Sequence, residues 1–347
     1  MKTLLQTPVC VTFDGAALPA HAARALRDEA LAACLKKEAE REMSGPLYCV
    51  TERKPHAPSG DPRDYASCGP YWWPDPDKPD GLPYIRRDGV VNPDTEETTH
   101  TFLRMFRRVW ALALAAFCFD RADMAERAAA QIEAWYLDPV TGMNPHLRYG
   151  QGVPGICEGR CFGLIDCRDS YKLFDAVGLL DAMGWLPEET REGVRRWYGA
   201  FLDWMLTSEI GVDEDARLNN HGTWYDVQVM AAALFLDRPL LFSRTREAAW
   251  LRRACAQVEK DGRQPQELAR TNAFGYSLMN LTGLCLIGQM GRLHPTRPDY
   301  RREGVDFFRA ERDGRSPLLA AADFLAPYAL GGEPWPYEQI GAAPEAP

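Results

Sequence analysis

Apolar residues recur at intervals of three and four along most of the chain, the spacing that places side chains on one face of an α-helix. Strand-like alternation is scarce. Because the connections between apolar runs are short, consecutive helices are expected to pair antiparallel. We therefore predict an all-α fold, either an α/α toroid or a helical array. The runs that predict helices are 102–116, 124–135, 171–180, 194–205, 224–234, 241–258 and 276–287.

Two long segments, 45–92 and 138–166, interrupt this helical pattern. Loops of this length in a compact domain are usually functional or disordered. The first is rich in Pro, Gly and Asp, yet it contains Tyr71, Trp72 and Trp73 and is too aromatic for disorder. We expect it to be ordered and to cover a functional cleft. Helices flank it on both sides, so we predict one domain over 1–347, with the Pro-rich tail 331–347 lying on the surface.

Composition narrows the function classes. The 347 residues are 46% hydrophobic and 26% charged, as in ordinary globular proteins. The chain has 40 Lys and Arg against 49 Asp and Glu, a net charge of −9, which argues against a general nucleic-acid-binding protein. This balance still permits an anionic ligand in a locally basic cleft.

Three features bear on location. The 10 cysteines are scattered, which favours reduced thiols over a disulfide framework. No apolar run approaches the roughly 18 residues that cross a bilayer, and residues 1–19 lack a clear signal peptide. We expect no membrane association and a cytoplasmic protein, or a secreted or periplasmic one if a leader has been removed.

The segment 219–226 (NNHGTWYD) opens a predicted helix and has two interpretations. Asn is a favoured N-cap, so the segment could serve only to start the helix. Alternatively, Asn220 and His221 point together into a cleft, where the positive end of the helix dipole faces an anionic group. The residues themselves leave both open.

Two further segments are ambiguous in the same way. Arg270 and Tyr276 lie six residues apart across a predicted helix start, but Arg270 could instead form a surface ion pair with Glu267. Trp72 and Trp73 could stack on sugar rings or attach their loop to the helices.

The segment 154–166 (PGICEGRCFGLID) combines glycines, which permit close backbone approach to a ligand, with Arg160. Its cysteine spacing matches no standard zinc site. The sequence also lacks the His-Glu-x-x-His, Walker and Gly-x-Ser-x-Gly motifs.

Together these segments resemble the alginate-lyase superfamily of helical-toroid polysaccharide lyases, nearest to polysaccharide lyase family 38 and more distantly to family 5. The resemblance extends over about 65–290 and rests on four stretches in order: YWWPDPDKPDGLPYIRRDGVVNP, PGICEGRCFGLID, NNHGTWYD and DGRQPQELARTNAFGYS. It implies an incomplete (α/α)6–7 toroid of antiparallel helix pairs with long loops over its cleft. It also implies β-elimination at the 1,4-glycosidic bonds of a polyuronate without metal or cofactor. Alginate, especially polymannuronate, is the expected substrate, with glucuronan as a further possibility.

The resemblance also implies the site residues. By position, the catalytic residues would be Asn220, His221, Arg270 and Tyr276. The residues predicted to bind the acidic polysaccharide are Trp72, Trp73, Arg160, Trp224 and Tyr225. A basic cleft would draw on Arg160 and Arg270, with Arg63, Arg148 and Arg168 as further candidates.

The chemistry gives each catalytic residue a role. The C5 proton lies beside a carboxylate, so donors such as Asn220, Arg270 and protonated His221 must neutralise the developing charge. Nearby cations are expected to lower the pKa of Tyr276, which would let it act as both base and acid on one face of the sugar. On opposite faces, His221 would be the base and Tyr276 the acid.

Two alternatives remain open at this stage. A glycoside hydrolase on a similar toroid would need opposed carboxylates, for which Asp166, Asp169 and Asp226 are candidates. A non-catalytic carbohydrate-binding protein would use the Trp72–Trp73 loop. Only a lyase would release an unsaturated, ultraviolet-absorbing sugar.

Overall fold

The computed structural model describes residues 1–52, 54–295 and 304–340, apart from the side chains of 96–99. The prediction of an all-α toroid is confirmed, and the helical runs read from the sequence all lie in helices. The α-helices in the described part of the chain are α1 (Leu18–Ala25), α2 (Glu29–Met43), α3 (Pro93–Phe119), α4 (Ala122–Tyr136), α5 (Ser170–Ala182), α6 (Glu188–Thr207), α7 (Glu209–Asp215), α8 (Asn220–Phe235), α9 (Pro239–Ala249), α10 (Pro265–Leu268), α11 (Ala273–Leu293) and α12 (Pro317–Ala329).

The longest helix, α3, shows how sequence sets these elements. Asn92 caps its start by accepting a hydrogen bond from the Asp94 amide, and Pro93 occupies the first turn, where no amide hydrogen is needed. Its apolar face, including Phe102 and Leu112, is fully buried. This face packs against α4 and α5 and forms one wall of the core.

The helices α8 and α11 pack against each other. Helix α8 is buried along nearly its whole length, and α11 buries residues along most of its length but leaves Leu278 exposed. The two helices can approach closely because Gly283 has no side chain. A Cβ at this position would lie only 2.8 Å from Thr223 Cγ2. Both helices begin at the same end of the toroid.

In the described part of the chain, segments of the two long loops pair with each other near this end. Strand β1 (Ala66–Cys68) pairs in parallel with β4 (Tyr149–Gly152), and β2 (Trp72–Trp73) pairs antiparallel with β3 (Ile85–Arg86). The second loop continues into a 3-10 helix at Cys161–Cys167.

Several elements were not predicted. The apolar spacing missed α1, α2, α7, α10 and α12, of which α7 and α10 are at most two turns long. The helix expected over 241–258 changes to a π-helical turn at Trp250–Cys255.

The described part of the tail, 331–340, is exposed or half-buried, and its residues 335–340 dock on the start of α11. Residues 341–347 lie outside the described residues.

All ten cysteines are free thiols. Among the helices described, none combines the length and apolarity needed to cross a membrane.

Candidate active site

A cavity of about 460 Å³ lies at the end of the toroid where α8 and α11 begin. It brings together all four predicted catalytic residues and two of the predicted binding residues: Asn220, His221, Arg270, Tyr276, Trp72 and Arg160. A larger cavity, of about 620 Å³, lies at the opposite end of these helices and contains none of the predicted residues.

His221 is oriented by a buried carboxylate. Its Nδ1 lies 2.7 Å from Glu214 Oε1, and Glu214 is only 1% exposed. A carboxylate accepts from Nδ1–H, so the lone pair of the neutral ring belongs to Nε2. The ring of Phe162 packs edge-on against the imidazole, with centroids 4.7 Å apart. His221 is therefore held in the tautomer that a general base needs.

Asn220 is held by a second buried carboxylate, Glu267 on α10. The backbone amide of Asn220 donates to Glu267 Oε1 at 2.6 Å, and its Nδ2 donates to Oε2 at 2.7 Å. Burial raises the pKa of Glu267, while these bonds act to lower it. The helix cap is the neighbouring Asn219, whose Oδ1 accepts from the His221 amide. Capping and cleft-facing roles thus fall on different residues.

Tyr276, in the first turn of α11, meets two groups from elsewhere in the chain. Its hydroxyl lies 2.8 Å from that of Tyr71, and the Arg270 guanidinium lies 4.9 Å from the centre of its ring. Arg270 in turn donates to both carboxylate oxygens of Asp88, at 3.3 and 2.9 Å. The first loop therefore contacts the predicted catalytic helix directly.

The expected electrostatic state of Tyr276 was wrong. Burial, with a smaller effect of Tyr71, raises the pKa of the phenol above its ordinary value, although Arg270 acts in the opposite direction. Desolvation disfavours the charged phenolate more than one cation can offset. Tyr276 is thus a neutral phenol, suited to donating a proton.

Arg160 is held by Gln151, a residue of strand β4. Its Nε donates to Gln151 O at 2.9 Å and its Nη2 to Gln151 Oε1 at 3.3 Å. Gln151 has a left-handed backbone (φ 47°), and its Nε2 donates to the buried Asp166. Burial lowers the pKa of Arg160, the mark of a desolvated cation. An anion in the cavity would restore part of its lost solvation.

The cavity is basic, as predicted. Arg160, Arg168 and Arg270 line it, together with Arg86, which the sequence did not single out. Two earlier candidates do not: Arg63 donates to the carbonyl of Gly142, and Arg148 is exposed beside Tyr149.

Three predicted binding residues lie outside the cavity. Trp73 points away from it, donates to the carbonyl of Val90 and packs against Arg87. Trp224 is buried and donates to the carbonyl of Met279, and Tyr225 is buried and donates to that of Met205. The last two are core residues because α8 is enclosed on all sides beyond its first turn.

The carboxylates proposed for a hydrolase are not assembled. Asp226 is buried against Arg253, 2.8 Å away, and Asp169 pairs with Lys172. Asp166 does line the cavity, where it accepts hydrogen bonds from Tyr65 and Ser67 and holds the β1–β4 region. The described residues contain no group of three or more His, Cys, Asp or Glu placed to hold a metal.

Comparison with known proteins assigns the fold and family. The sequence model of the family described as Alginate lyase matches residues 50–335. The chain belongs to this family. It is therefore a polysaccharide lyase, and the resemblance noted in the sequence is confirmed.

Among solved structures of the family, an alginate lyase from Bacteroides ovatus is 35% identical. The alignment of the two structures covers 96% of this chain and 87% of the Bacteroides ovatus chain, with a TM-score of 0.88.

Alginate lyase A1-III of Sphingomonas species A1 is 16% identical, with a TM-score of 0.50, and covers 90% of this chain and 80% of its own. A histidine-to-alanine variant of A1-III complexed with a tetrasaccharide is 16% identical, with a TM-score of 0.55, and covers 84% and 75%. These two share the toroid fold. No curated protein sequence matches the chain.

The site residues that sequence reasoning missed include Tyr71, Arg86, Gln151, Glu214 and Glu267. Tyr71 had a signal, since it stands beside the Trp pair that was considered. The contact between Glu267 and Asn220 joins residues 47 positions apart and has no periodic signature.

Proposed function

We propose that this lyase cleaves the 1,4-glycosidic bonds of alginate by β-elimination, with His221 as base and Tyr276 as acid. One observation carries the proposal: an imidazole fixed through Nδ1 by Glu214 and a neutral phenol line the same cavity. Nε2 of His221 takes the proton from C5, the C4–O4 bond breaks, and the Tyr276 hydroxyl protonates the departing oxygen. A C4=C5 double bond remains in the product.

The uronate carboxylate must be neutralised during this step, because negative charge develops beside it. Asn220 Nδ2 carries two hydrogens, of which Glu267 takes one and the other is available to the substrate. Arg270 supplies the positive charge, and its pairing with Asp88 fixes the guanidinium before substrate arrives. Both side chains are thereby preorganised for the enolate-like transition state.

Substrate stereochemistry decides which route is open. In guluronate the C5 hydrogen and the C4 oxygen lie on opposite faces of the ring, which suits a base and an acid from different helices. In mannuronate and glucuronate they share a face, so Tyr276 would have to lose its own proton first. The raised pKa of Tyr276 favours the opposite-face route. Guluronate blocks should therefore depend on His221 more strongly than mannuronate blocks.

The polysaccharide substrate would be bound by two arginines, Arg160 and Arg168, and by the indole ring of Trp72. Among the described residues, Arg160 donates to Gln151 and Arg168 to the carbonyl of Ile165, and both of these partners are uncharged. Each can therefore accept a substrate carboxylate without giving up an ion pair. Trp72 lies beside Arg160, 5.8 Å from its guanidinium, and offers a face to a neighbouring sugar ring.

The test is to incubate the enzyme with guluronate blocks, mannuronate blocks and glucuronan in turn. For each substrate, both the ultraviolet absorbance of unsaturated products and the number of new reducing ends are measured. We expect absorbance and reducing ends to rise together. His221→Ala should lose about 10²–10⁴ in rate on guluronate blocks and less on mannuronate blocks. His21→Ala, at an exposed position, is the matched control. Reducing ends without absorbance would indicate hydrolysis and refute the proposal.

A further inference from the structure

The helix that carries Tyr276 does not cap itself. The first amides of an α-helix have no partner within the helix and are usually satisfied by the side chain just before it. At α11 that residue is Asn272, and its side chain makes no capping hydrogen bond. Without another source of acceptors, the first turn of α11 would be poorly fixed.

Residues 335–340, at the C-terminal end of the described chain, supply these acceptors. The carbonyl of Glu338 accepts from the Ala273 amide at 3.1 Å, and Gln339 Oε1 accepts from the Phe274 amide at 3.0 Å. Gln339 Nε2 donates to Asn272 Oδ1 at 2.6 Å. One glutamine side chain thus satisfies a helix amide and the side chain that fails to cap.

The same segment also contacts the peptide that follows Arg270. The Ile340 amide donates to the carbonyl of Thr271 at 2.8 Å. On its other side, a Cβ at Gly89 would lie 2.9 Å from Ile340 Cγ2, so the loop that carries Asp88 packs directly on this residue.

An aromatic cluster fixes the segment to α11 and α12. The ring of Trp335 lies 5.1 Å from that of Phe274 and 4.9 Å from that of Tyr328, both at nearly right angles. The segment is therefore held on both sides of Gln339, by this cluster and by the Ile340–Thr271 bond. Gln339 reaches the helix start from a fixed backbone.

We propose that Gln339 is a positioning residue for the elimination. By capping the start of α11, it fixes where the Tyr276 hydroxyl lies in the cavity and the direction in which it points. This inference rests on the proposed role of Tyr276. Positioning matters because a displacement of about 1 Å in an acid–base group can cost roughly a hundredfold in rate. Phe274 lies two residues before Tyr276, in the same turn, so a frayed first turn would move the phenol directly.

Two substitutions separate this role from simple packing. Gln339→Met keeps the length of the side chain and removes all three of its hydrogen bonds, to the Phe274 amide, Asn272 Oδ1 and the Ile340 carbonyl. Gln339→Glu keeps an acceptor for the Phe274 amide and places a negative charge where the helix dipole favours it. We expect kcat on alginate to fall roughly tenfold for Gln339→Met, with a smaller change in KM, and to be largely restored in Gln339→Glu. Glu338→Ala, in the same segment with an exposed side chain, should match the unsubstituted protein.

Backbone hydrogen exchange over 273–276 provides a readout that does not depend on catalysis. It should accelerate in Gln339→Met and recover in Gln339→Glu, while exchange in α3 stays unchanged. Unchanged exchange in Gln339→Met would overturn the inference, and so would accelerated exchange with unchanged kcat. Tyr276→Phe measured in parallel isolates the proposed function: if that variant keeps full turnover, the role of Tyr276 has failed, and the exchange result alone decides whether Gln339 caps α11.

Discussion

The hydroxyl groups of Tyr71 and Tyr276 lie 2.8 Å apart, although 205 positions separate the two residues in the sequence. Tyr71 belongs to the long loop before β2, and Tyr276 to the first turn of α11. Their contact couples the position of the loop to the protonation of the proposed acid. Burial is the main reason that the pKa of Tyr276 is raised, and Tyr71 adds to it.

Tyr71→Phe should move the alkaline limb of the kcat profile to lower pH. The proposed acid must be protonated, so activity is lost as pH rises through its pKa. In the unsubstituted protein this loss should begin only above the ordinary tyrosine value of 10.0. The substitution removes one cause of the raised pKa but leaves the burial. Tyr84→Phe, in the same loop but outside the cavity, should leave the profile unchanged; equal profiles for both variants would contradict the coupling.

Trp72→Ala should weaken substrate binding, while Trp73→Ala should not. The two indoles are adjacent in β2, yet only Trp72 lines the cavity, since Trp73 is bonded to the Val90 carbonyl on the other face. We expect KM on alginate to rise roughly tenfold for the first variant, about the contribution of one stacked ring. If both variants raise KM, or if neither does, the assignment of sugar stacking to Trp72 alone is wrong.

Arg168→Gln should raise KM and reduce its dependence on salt. Arg168 lines the cavity, and its partner in the described part of the chain is the uncharged carbonyl of Ile165, so its charge is available to a polyanion. Added salt screens such attractions between exposed groups. Arg148→Gln removes the same charge from an exposed position outside the cavity. Titration of KM against ionic strength for both variants distinguishes a local cationic site from net charge, and identical curves would argue for net charge.

Much of the fold could be predicted because the apolar spacing is strong where helices pack on one side. The long amphipathic α3 and α6 were predicted for this reason. The spacing fails for α10, which spans only Pro265–Leu268 and offers too few positions to show a period. It also fails for the docking of residues 335–340, which depends on a distant partner.

The site was predictable in identity more than in geometry. Four motifs in order located Asn220, His221, Arg270 and Tyr276. The spacing could not show that Trp224 is core, because a helix apolar on all sides gives no preferred face. The buried carboxylates Glu214 and Glu267 were missed because burial of a charge is set by tertiary contacts.

Glu214→Gln should lower kcat strongly with little effect on KM. The carboxylate accepts from His221 Nδ1 and leaves the lone pair on Nε2. An amide can instead donate to Nδ1, which would place the proton on Nε2 and remove the base, a change of tautomer that costs a histidine base about 10⁴ in rate. Glu209→Gln, on the same helix α7, is the control. Single-turnover rates on guluronate blocks would reveal the loss, and full activity would show that Glu214 does not orient the histidine.

The most direct test of the proposed mechanism is Tyr276→Phe, compared with the unsubstituted protein for folding, binding and turnover. The change removes one hydroxyl and leaves the ring packed beside Arg270. The proposed acid role predicts an unchanged melting temperature, intact binding of alginate oligosaccharides, and a loss of about 10²–10⁴ in the release of ultraviolet-absorbing ends. Turnover at the unsubstituted rate, on a folded variant that still binds oligosaccharide, would contradict it.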